Sequence, residues 1–244
     1  TVANFTSTGI DDNATSNAIT IDANENVTLT KSRNDTSANL TLLNSQSSGY
    51  GTAIDFNTGA NGGYTLGRID TENNSTGGML RFFTSNTSEV VTERMRIDSA
   101  GIVTKPLQPA FCVKKSAQQD FNAGVTTQVT WQTESFDVGS NFASNTFTAP
   151  VDGKYFLQSD CRIDNLDTAS TYYIIYIVTS NRTSQIIIDP NFTADLIFFN
   201  LSISGVFDMD AGDAAYINIR QDTGHNSSHV SGSNYTNFSG YLLG

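Results

Sequence analysis

Carboxylates are the side chains of this chain best suited to chemistry, and five of them fall in three short polar stretches. They are Asp164 and Asp167 in 164–170, Asp189 and Asp195 in 189–195, and Asp222 in 221–234. Hard cations such as Ca²⁺ prefer carboxylate oxygens, so these residues predict a calcium site if the three stretches meet. Calcium is the only cofactor that this pattern suggests, and solvated acidic loops are the alternative interpretation.

Both histidines of the chain, His225 and His229, share the stretch 221–234. On a helix their spacing could hold a metal, but Gly224 and the intervening Asn-Ser-Ser indicate a loop, where spacing fixes no geometry. We therefore interpret this loop as an adaptable contact surface. The candidate contact residues are amphipathic or polar side chains in or beside loops: Tyr172, Tyr173, His225, Asn226, His229 and Tyr235. For the tyrosines, packing in a core or between subunits is the alternative.

Motifs for catalysis are absent from the sequence. It has no Gly-x-Ser-x-Gly elbow, no phosphate-binding glycine-rich loop before a helix and no Cys–His signature. Asp164 and Asp167 could form an acid pair for glycan hydrolysis, but no long β-helix repeat is visible in the sequence. We expect a protein that is not an enzyme.

The chain changes character near Lys105-Pro-Leu-Gln-Pro109, where two prolines stiffen the backbone and exclude helix. Asn, Thr, Ser, Gly and Asp dominate before this point, and longer apolar runs follow it. The sequence therefore predicts two domains, 1–105 and 106–244. The first residue is Thr1 rather than Met, as expected of a processed product or a fragment.

Charge and hydropathy exclude two classes of partner. The formal net charge of -11 leaves no basic cluster that could bind nucleic acid. No run approaches the roughly 20 apolar residues that cross a bilayer, and no signal-peptide pattern opens the chain. Cys112 and Cys161 both fall in apparent strands, either as a disulfide or as two small buried hydrophobic residues.

Alternating apolar and polar residues predict an all-β protein, and no twelve-residue window carries a helical stripe. In the first domain the predicted strands are 18–22, 27–30, 40–43, 53–56 and 95–97. In the second they are 109–115, 127–132, 145–149, 153–163, 171–178, 185–188, 196–208, 213–220 and 235–243. Short strands between polar turns cannot build a thick core from one chain, so we expect 1–104 to share its core with identical copies.

Residues 9–103 resemble the shaft and adaptor modules of bacteriophage tail fibres. The resemblance is carried by Gly9-Ile-Asp-Asp-Asn-Ala-Thr-Ser-Asn-Ala-Ile-Thr-Ile-Asp22, Gly67-Arg-Ile69 and Glu93-Arg-Met-Arg-Ile-Asp-Ser-Ala-Gly101. It implies a trimeric, β-rich and intertwined shaft. The chain departs from that pattern after Val27 and Val103, where the glycine-rich continuation is missing.

Residues 109–244 are similar to the C1q-like domain, a jelly-roll sandwich that forms compact trimers. The motifs are Phe136-Asp137, Phe147-Thr-Ala-Pro-Val-Asp-Gly-Lys-Tyr155, Ala211-Gly-Asp-Ala-Ala-Tyr-Ile-Asn-Ile219 and Phe238-Ser-Gly-Tyr-Leu-Leu243. Leu157 stands where the family usually has Phe. Gly153 is expected to adopt a backbone angle that other residues resist, and alternation places Tyr155 and Leu157 on one face.

The sandwich fold predicts at which end of the domain each loop lies. Every second loop of antiparallel strands falls at the same end, so if the last strand ends at the base, 164–170, 189–195 and 221–234 gather at the opposite tip. Threefold symmetry would then bring each acidic side chain of the tip close to its copies, as in C1q-like heads that hold Ca²⁺.

More than half of the asparagines begin an Asn-x-Ser/Thr sequence, including Asn4, Asn26, Asn39, Asn86, Asn181, Asn191, Asn200 and Asn237. This excess predicts glycosylation during export, although polar β-fibres also favour Asn, Ser and Thr.

Together these features predict a viral tail fibre, in which a homotrimeric shaft joined to upstream tail components carries a head that binds a cell-surface glycan or protein. Such a protein would be located at the virion surface. The alternative is a secreted extracellular protein that forms filaments and uses the C1q-like head for assembly.

Overall fold

The computed structural model describes residues 19–21, 27–29, 51–57, 64–74, 77–224 and 228–244. Every regular element in these ranges is a β-strand, so the all-β prediction is confirmed. The chain divides into two compact units, and the boundary lies between residues 92 and 103. Within the described ranges, no helix is long and apolar enough to cross a membrane.

The N-terminal strands form two separate sheets. They are β1 (Ile19–Ile21), β2 (Val27–Leu29), β3 (Ala53–Asn57), β4 (Thr65–Asn74), β5 (Gly77–Ser85), β6 (Val91–Ile97) and β7 (Val103–Thr104). β1 pairs with β2, and β3 to β7 follow chain order in a five-stranded sheet, here called the N-terminal sheet. Four predicted strands coincide with β1, β2, β3 and β6, and the predicted strand 40–43 lies outside the described residues. β4, β5 and β7 are not among the predicted strands.

Thirteen strands form the second unit. They are β8 (Ala110–Lys114), β9 (Gln119–Asp120), β10 (Thr127–Gln128), β11 (Thr133–Val138), β12 (Phe142–Ala143), β13 (Thr146–Thr148), β14 (Gly153–Leu166), β15 (Tyr173–Thr179), β16 (Thr183–Ile188), β17 (Leu196–Met209), β18 (Ala214–Gln221), β19 (His229–Val230) and β20 (Asn237–Leu242). All nine predicted strands of this region are present. The structure adds β9, β11, β12 and β19.

These strands form two antiparallel sheets. The first has the order β12-β13-β18-β15-β16, with β10 also paired to β18, and the second has the order β11-β8-β20-β14, with β17, β19 and β9 attached through β14. Phe111 of the second sheet stacks on Phe147 of the first, with ring centroids 4.5 Å apart. The two sheets therefore face each other as a sandwich, and aromatic and branched side chains fill the space between them.

Alternation along β14 places its side chains as predicted. Tyr155 and Leu157 are both 0% exposed and belong to the core. Cys161 lies on the same inner face, whereas Cys112 of β8 is half-buried beside two core residues of its strand. Both thiols are free, so the disulfide alternative is wrong.

The last strand returns to the point where the sandwich begins. The amide of Leu242 donates to the carbonyl of Pro109 at 3.0 Å, and the amide of Lys154 donates to the carbonyl of Gly244 at 3.1 Å. This end is the base. β14, β16 and β18 run away from it, antiparallel to β17 and β15, so the loops after Leu166, Ile188 and Gln221 lie at the opposite end.

Gly153 has a different role from the predicted one. Its backbone is not among the positive-φ positions. A Cβ at this residue would instead lie 2.7 Å from Cδ1 of Leu242 and 3.3 Å from the carbonyl oxygen of Gly244. Glycine is required here because the C-terminus packs against its α-carbon.

Candidate functional site

The loops that follow β14, β16 and β18 contact one another at the tip. Oδ1 of Asp195 accepts hydrogen bonds from the backbone amide and the hydroxyl of Thr168, at 2.9 and 2.7 Å. The amide of Thr171 donates to the hydroxyl of Thr223 at 2.9 Å, and the amide of Asp222 donates to the carbonyl of Tyr172. The predicted convergence of the three loops is therefore observed.

A charged group lies at one side of this tip. Nη2 of Arg220 donates to Oδ1 of Asp222 at 3.0 Å, and its Nη1 donates to the carbonyl of Gly124 at 2.9 Å. The hydrogen bond from Arg220, followed by one from Tyr172, lowers the pKa of the Asp222 carboxyl below its usual value. Asp222 is therefore an ionised acceptor at neutral pH, with a guanidinium and a phenol beside it.

The other predicted acidic residues have separate surroundings. Nε of Arg162 donates to Oδ1 of Asp164 at 2.8 Å, whereas Asp167 is buried and accepts the amide of Ala169 at 2.7 Å. Asp189 is exposed. No group of three or more His, Cys, Asp or Glu side chains suited to a metal occurs in the described part of one chain. The calcium site, which requires copies of the chain, stays a prediction.

The structure corrects the prediction that Tyr173 is a contact residue. Its side chain is 0% exposed, and its hydroxyl lies 2.7 Å from the hydroxyl of Ser228. Burial raises the pKa of this phenol above its usual value. Tyr173 is thus a core residue, as its alternative interpretation stated, whereas the neighbouring Tyr172 remains half-buried at the tip.

The stretch 221–234 is not a single loop. His229 belongs to β19, which pairs with β14, and its Nε2 lies 3.8 Å from Oδ2 of Asp164. His225 and Asn226 lie outside the described residues, so their predicted roles stay predictions. The side chain of Tyr235 is 69% exposed, and the guanidinium of Arg162 lies 5.2 Å from its ring. The structure therefore brings Tyr172 and Asp222 together, and it places Tyr235 beside Arg162.

Sequence reasoning missed Arg220, Arg162 and the threonine pair of the tip. Arg220 ends the alternating run Tyr216-Ile-Asn-Ile-Arg220, so its outward position was readable from the sequence. Its partner Gly124 lies in a loop far away in the chain, and no local pattern indicates that contact.

The described sequons are accessible to different degrees. Asn86, Asn181, Asn191 and Asn200 are exposed, and Asn237 is half-buried with its amide 3.4 Å from Oδ2 of Asp160. Asn4, Asn26 and Asn39 lie outside the described residues. Glycosylation stays a prediction at all of them.

The arrangement at the tip suits binding. Hydroxyl, guanidinium, carboxylate and phenol groups can exchange hydrogen bonds with a polar ligand. Asp164 is paired with Arg162 and Asp167 is buried, so the two do not form an exposed acid pair. No enzyme family is indicated by the comparisons.

Two of the solved structures that are similar to part of this chain illustrate the match. The globular domain of zebrafish complement 1qA is 17% identical with a TM-score of 0.43, and the match covers 56% of this chain and 98% of that one. Murine APRIL at pH 8.5 is 14% identical with a TM-score of 0.42, and the match covers 56% of this chain and 99% of that one. No curated protein sequence matches the chain.

Comparison with protein-family models identifies the sandwich. The model described as the C1q domain matches residues 110–243. Domains of this kind are generally extracellular and mediate trimeric assembly and binding. Because the match covers more than half of the 244 residues, this chain belongs to the C1q domain family.

Proposed function

We propose that the protein is a viral attachment fibre of the phage tail-fibre type, in which a homotrimeric C1q head binds a cell-surface glycan or protein through its tip. The observation that carries the proposal is the C1q domain, whose three tip loops converge at the end opposite the chain's point of entry. The tail-fibre resemblance of residues 9–103 supports the viral role.

An apolar row on the outer face of the second sheet supports the trimer. Phe156 of β14 is paired with Val206 of β17 on one side and with Tyr241 of β20 on the other. Val206 and Tyr241 are each 46% exposed, and the rings of Phe156 and Tyr241 lie 5.6 Å apart. Contiguous exposed apolar side chains of this kind mark contacts with another protein.

A second apolar surface lies along the edge formed by β16 and β17. Its exposed residues are Ile186, Ile187, Phe192 and Ile197. The two surfaces differ in composition and position, so a contact between them is head-to-tail, and head-to-tail contacts close into rings when the rotation allows it. Three copies joined in this way would present three tips.

The tip is proposed to bind weakly and repeatedly. Thr171, Tyr172, Arg220, Asp222 and Thr223 offer donors and acceptors suited to hydroxyl and amide groups. Three linked copies on a repetitive cell surface would convert weak contacts into useful avidity, because the second and third contacts are intramolecular.

Oligomeric mass and imaging test this proposal. A mass of three chains and a club with one distal knob are expected. A fluorescent fibre should bind cells of a susceptible strain, and the variant Tyr172→Ala/Asp222→Ala should lose binding while a base variant, Lys154→Ala, retains it. A monomeric mass, or equal binding by the tip variant, would contradict the proposal.

The sequon excess favours a second candidate, a secreted and glycosylated structural protein that forms filaments. Asn237 of β20 stands opposite Asp160 of β14, and Asn200 of β17 stands opposite Arg162, both on the outer face that carries the apolar row. Glycans at these positions would obstruct a trimer formed through this face. An intact mass above that of the polypeptide, with heads spaced along a filament, would favour the second candidate over the first.

A further inference from the structure

The N-terminal sheet lacks a core of its own. Every buried apolar side chain in the described part of the chain lies at or after Phe111. A five-stranded sheet without buried apolar side chains has little to hold it together, since sheets are stabilised by covering an apolar face. Another layer must therefore cover this sheet.

One face of the N-terminal sheet is apolar across β3, β4 and β5. Ile54 of β3, Ile69 of β4 and Phe82 of β5 form one cross-strand row. The next row begins with Phe56, which stands opposite Gly67. Ile54 and Phe56 are 43% and 54% exposed, so the described residues of this chain leave much of the face uncovered.

The opposite face is charged and internally paired. Nε of Arg68 lies 2.6 Å from Oδ1 of Asp55, directly across from it in the ladder. Arg81 pairs with Asp70 at 2.8 Å and also with Glu72. These cross-strand pairs satisfy the charged groups of this face within a single chain.

We propose that the apolar face, defined by Ile54, Phe56, Ile69, Leu80 and Phe82, packs against the same face of two further copies of this chain, with the charged face turned to solvent. The inference rests on the trimeric head of the proposed function. Residues 105–109 join β7 of the sheet to β8 of the sandwich along the chain, over at most about 18 Å, so a trimeric head holds three sheets at high effective concentration. None of the five residues that define this face is charged, which matters in a chain of net charge -11 because contact through them brings no carboxylates together.

Cysteine cross-linking of the full-length protein tests which face meets the copies. Ile54, Asp55 and Phe56 are consecutive in β3, so a cysteine at each samples the apolar, charged and apolar face at nearly the same height. Each is introduced in a Cys112→Ser background, and Cys161 is buried. Thr84→Cys, opposite Gly67 on the apolar face, is a further reporter that removes no apolar side chain.

Mild oxidation at low protein concentration should link chains through Ile54→Cys, Phe56→Cys and Thr84→Cys, and leave Asp55→Cys as single chains on a denaturing gel. Cross-linking through Asp55→Cys alone would overturn the assignment of the face. A protein that is trimeric by mass but forms no cross-link would show that a segment of the same chain covers the face, and would overturn this inference without affecting the head. A monomeric mass would overturn both.

Discussion

Nζ of Lys115 donates a hydrogen bond to the backbone carbonyl of Thr130 at 2.9 Å, inside a sandwich where Lys115 is 0% exposed. The ammonium also donates to the hydroxyl of Thr130 and to Oε1 of Gln119, at 3.1 and 3.0 Å. All three acceptors are uncharged. Burial therefore lowers the pKa of Lys115 from 10.5 to about 8, because the charged form loses water without gaining a carboxylate partner.

Because of this buried ammonium, the free energy of unfolding is expected to depend on pH in the alkaline range. Between about pH 8 and 10.5 the unfolded chain holds the lysine proton and the folded chain has released it, so the free energy of unfolding rises with pH in this window. From pH 7 to 9.5 the gain is about 2 kcal/mol. Denaturant titrations at fixed protein concentration should show Lys115→Met losing this rise relative to the wild type.

Lys114→Met is the matched control for that measurement. Lys114 is the adjacent residue and is half-buried, and the variant keeps Lys115. It should therefore retain the alkaline rise in stability. Equal pH dependence of the wild type and Lys115→Met would show that the buried ammonium is not the source.

Gly240 is predicted to tolerate no side chain. A Cβ there would lie 2.5 Å from Cδ2 of Leu157 and 2.9 Å from Cε1 of Phe111, both core side chains. Gly240→Ala should lower the free energy of unfolding by about 1–3 kcal/mol through overpacking. Gly212→Ala is the comparison, because a Cβ at that position meets no atom within 4 Å although φ is +95°. Its cost should be about 1 kcal/mol. A smaller loss at Gly240 than at Gly212 would be inconsistent with this packing.

Much of the sandwich was predictable because apolar and polar residues alternate along its strands. Tyr173, Ile175 and Ile177 are all 0% exposed, and their spacing of two already indicated one buried face. The same spacing places Tyr173 on the buried face with Ile175 and Ile177. Tyr173 was nevertheless predicted as a contact residue because it lies beside the tip loop. β11 was missed because Thr133-Glu-Ser-Phe-Asp-Val138 is largely exposed and is held by pairing with β8.

The tip was predictable in outline and not in detail. Strand direction alone indicated which loops converge, since antiparallel neighbours reverse at each turn. The contacts that build the site, such as Thr168 with Asp195 and Arg220 with Gly124, join residues far apart in sequence. Local sequence patterns do not reveal contacts between residues distant in the chain. The acidic residues of the tip could therefore be predicted, but the residues that they contact could not.

Tyr241 is predicted to hold the trimer of heads together. It is half-exposed in the apolar row beside Phe156, where a carboxylate would be placed between copies. Tyr241→Asp should weaken each contact by about 2 kcal/mol or more, the range of a central aromatic residue in an interface, and shift the mass from three chains to one at low concentration. Tyr176→Asp makes the same change on the other sheet, between the core residues Ile175 and Ile177, and should keep the trimeric mass. A trimeric Tyr241→Asp variant would place the interface elsewhere.

The thiol of Cys161 should react only when the sandwich unfolds. Its side chain is 0% exposed, and burial raises its pKa to about 12, so the thiolate that attacks thiol reagents is scarce at pH 8. In a Cys112→Ser background, alkylation by iodoacetamide at pH 8 should follow the rate of unfolding and accelerate with denaturant. Cys161→Ser, which keeps the half-buried Cys112, shows the reactivity of a thiol outside the core. Fast alkylation of the folded Cys112→Ser protein would mean that solvent reaches the inner face of β14.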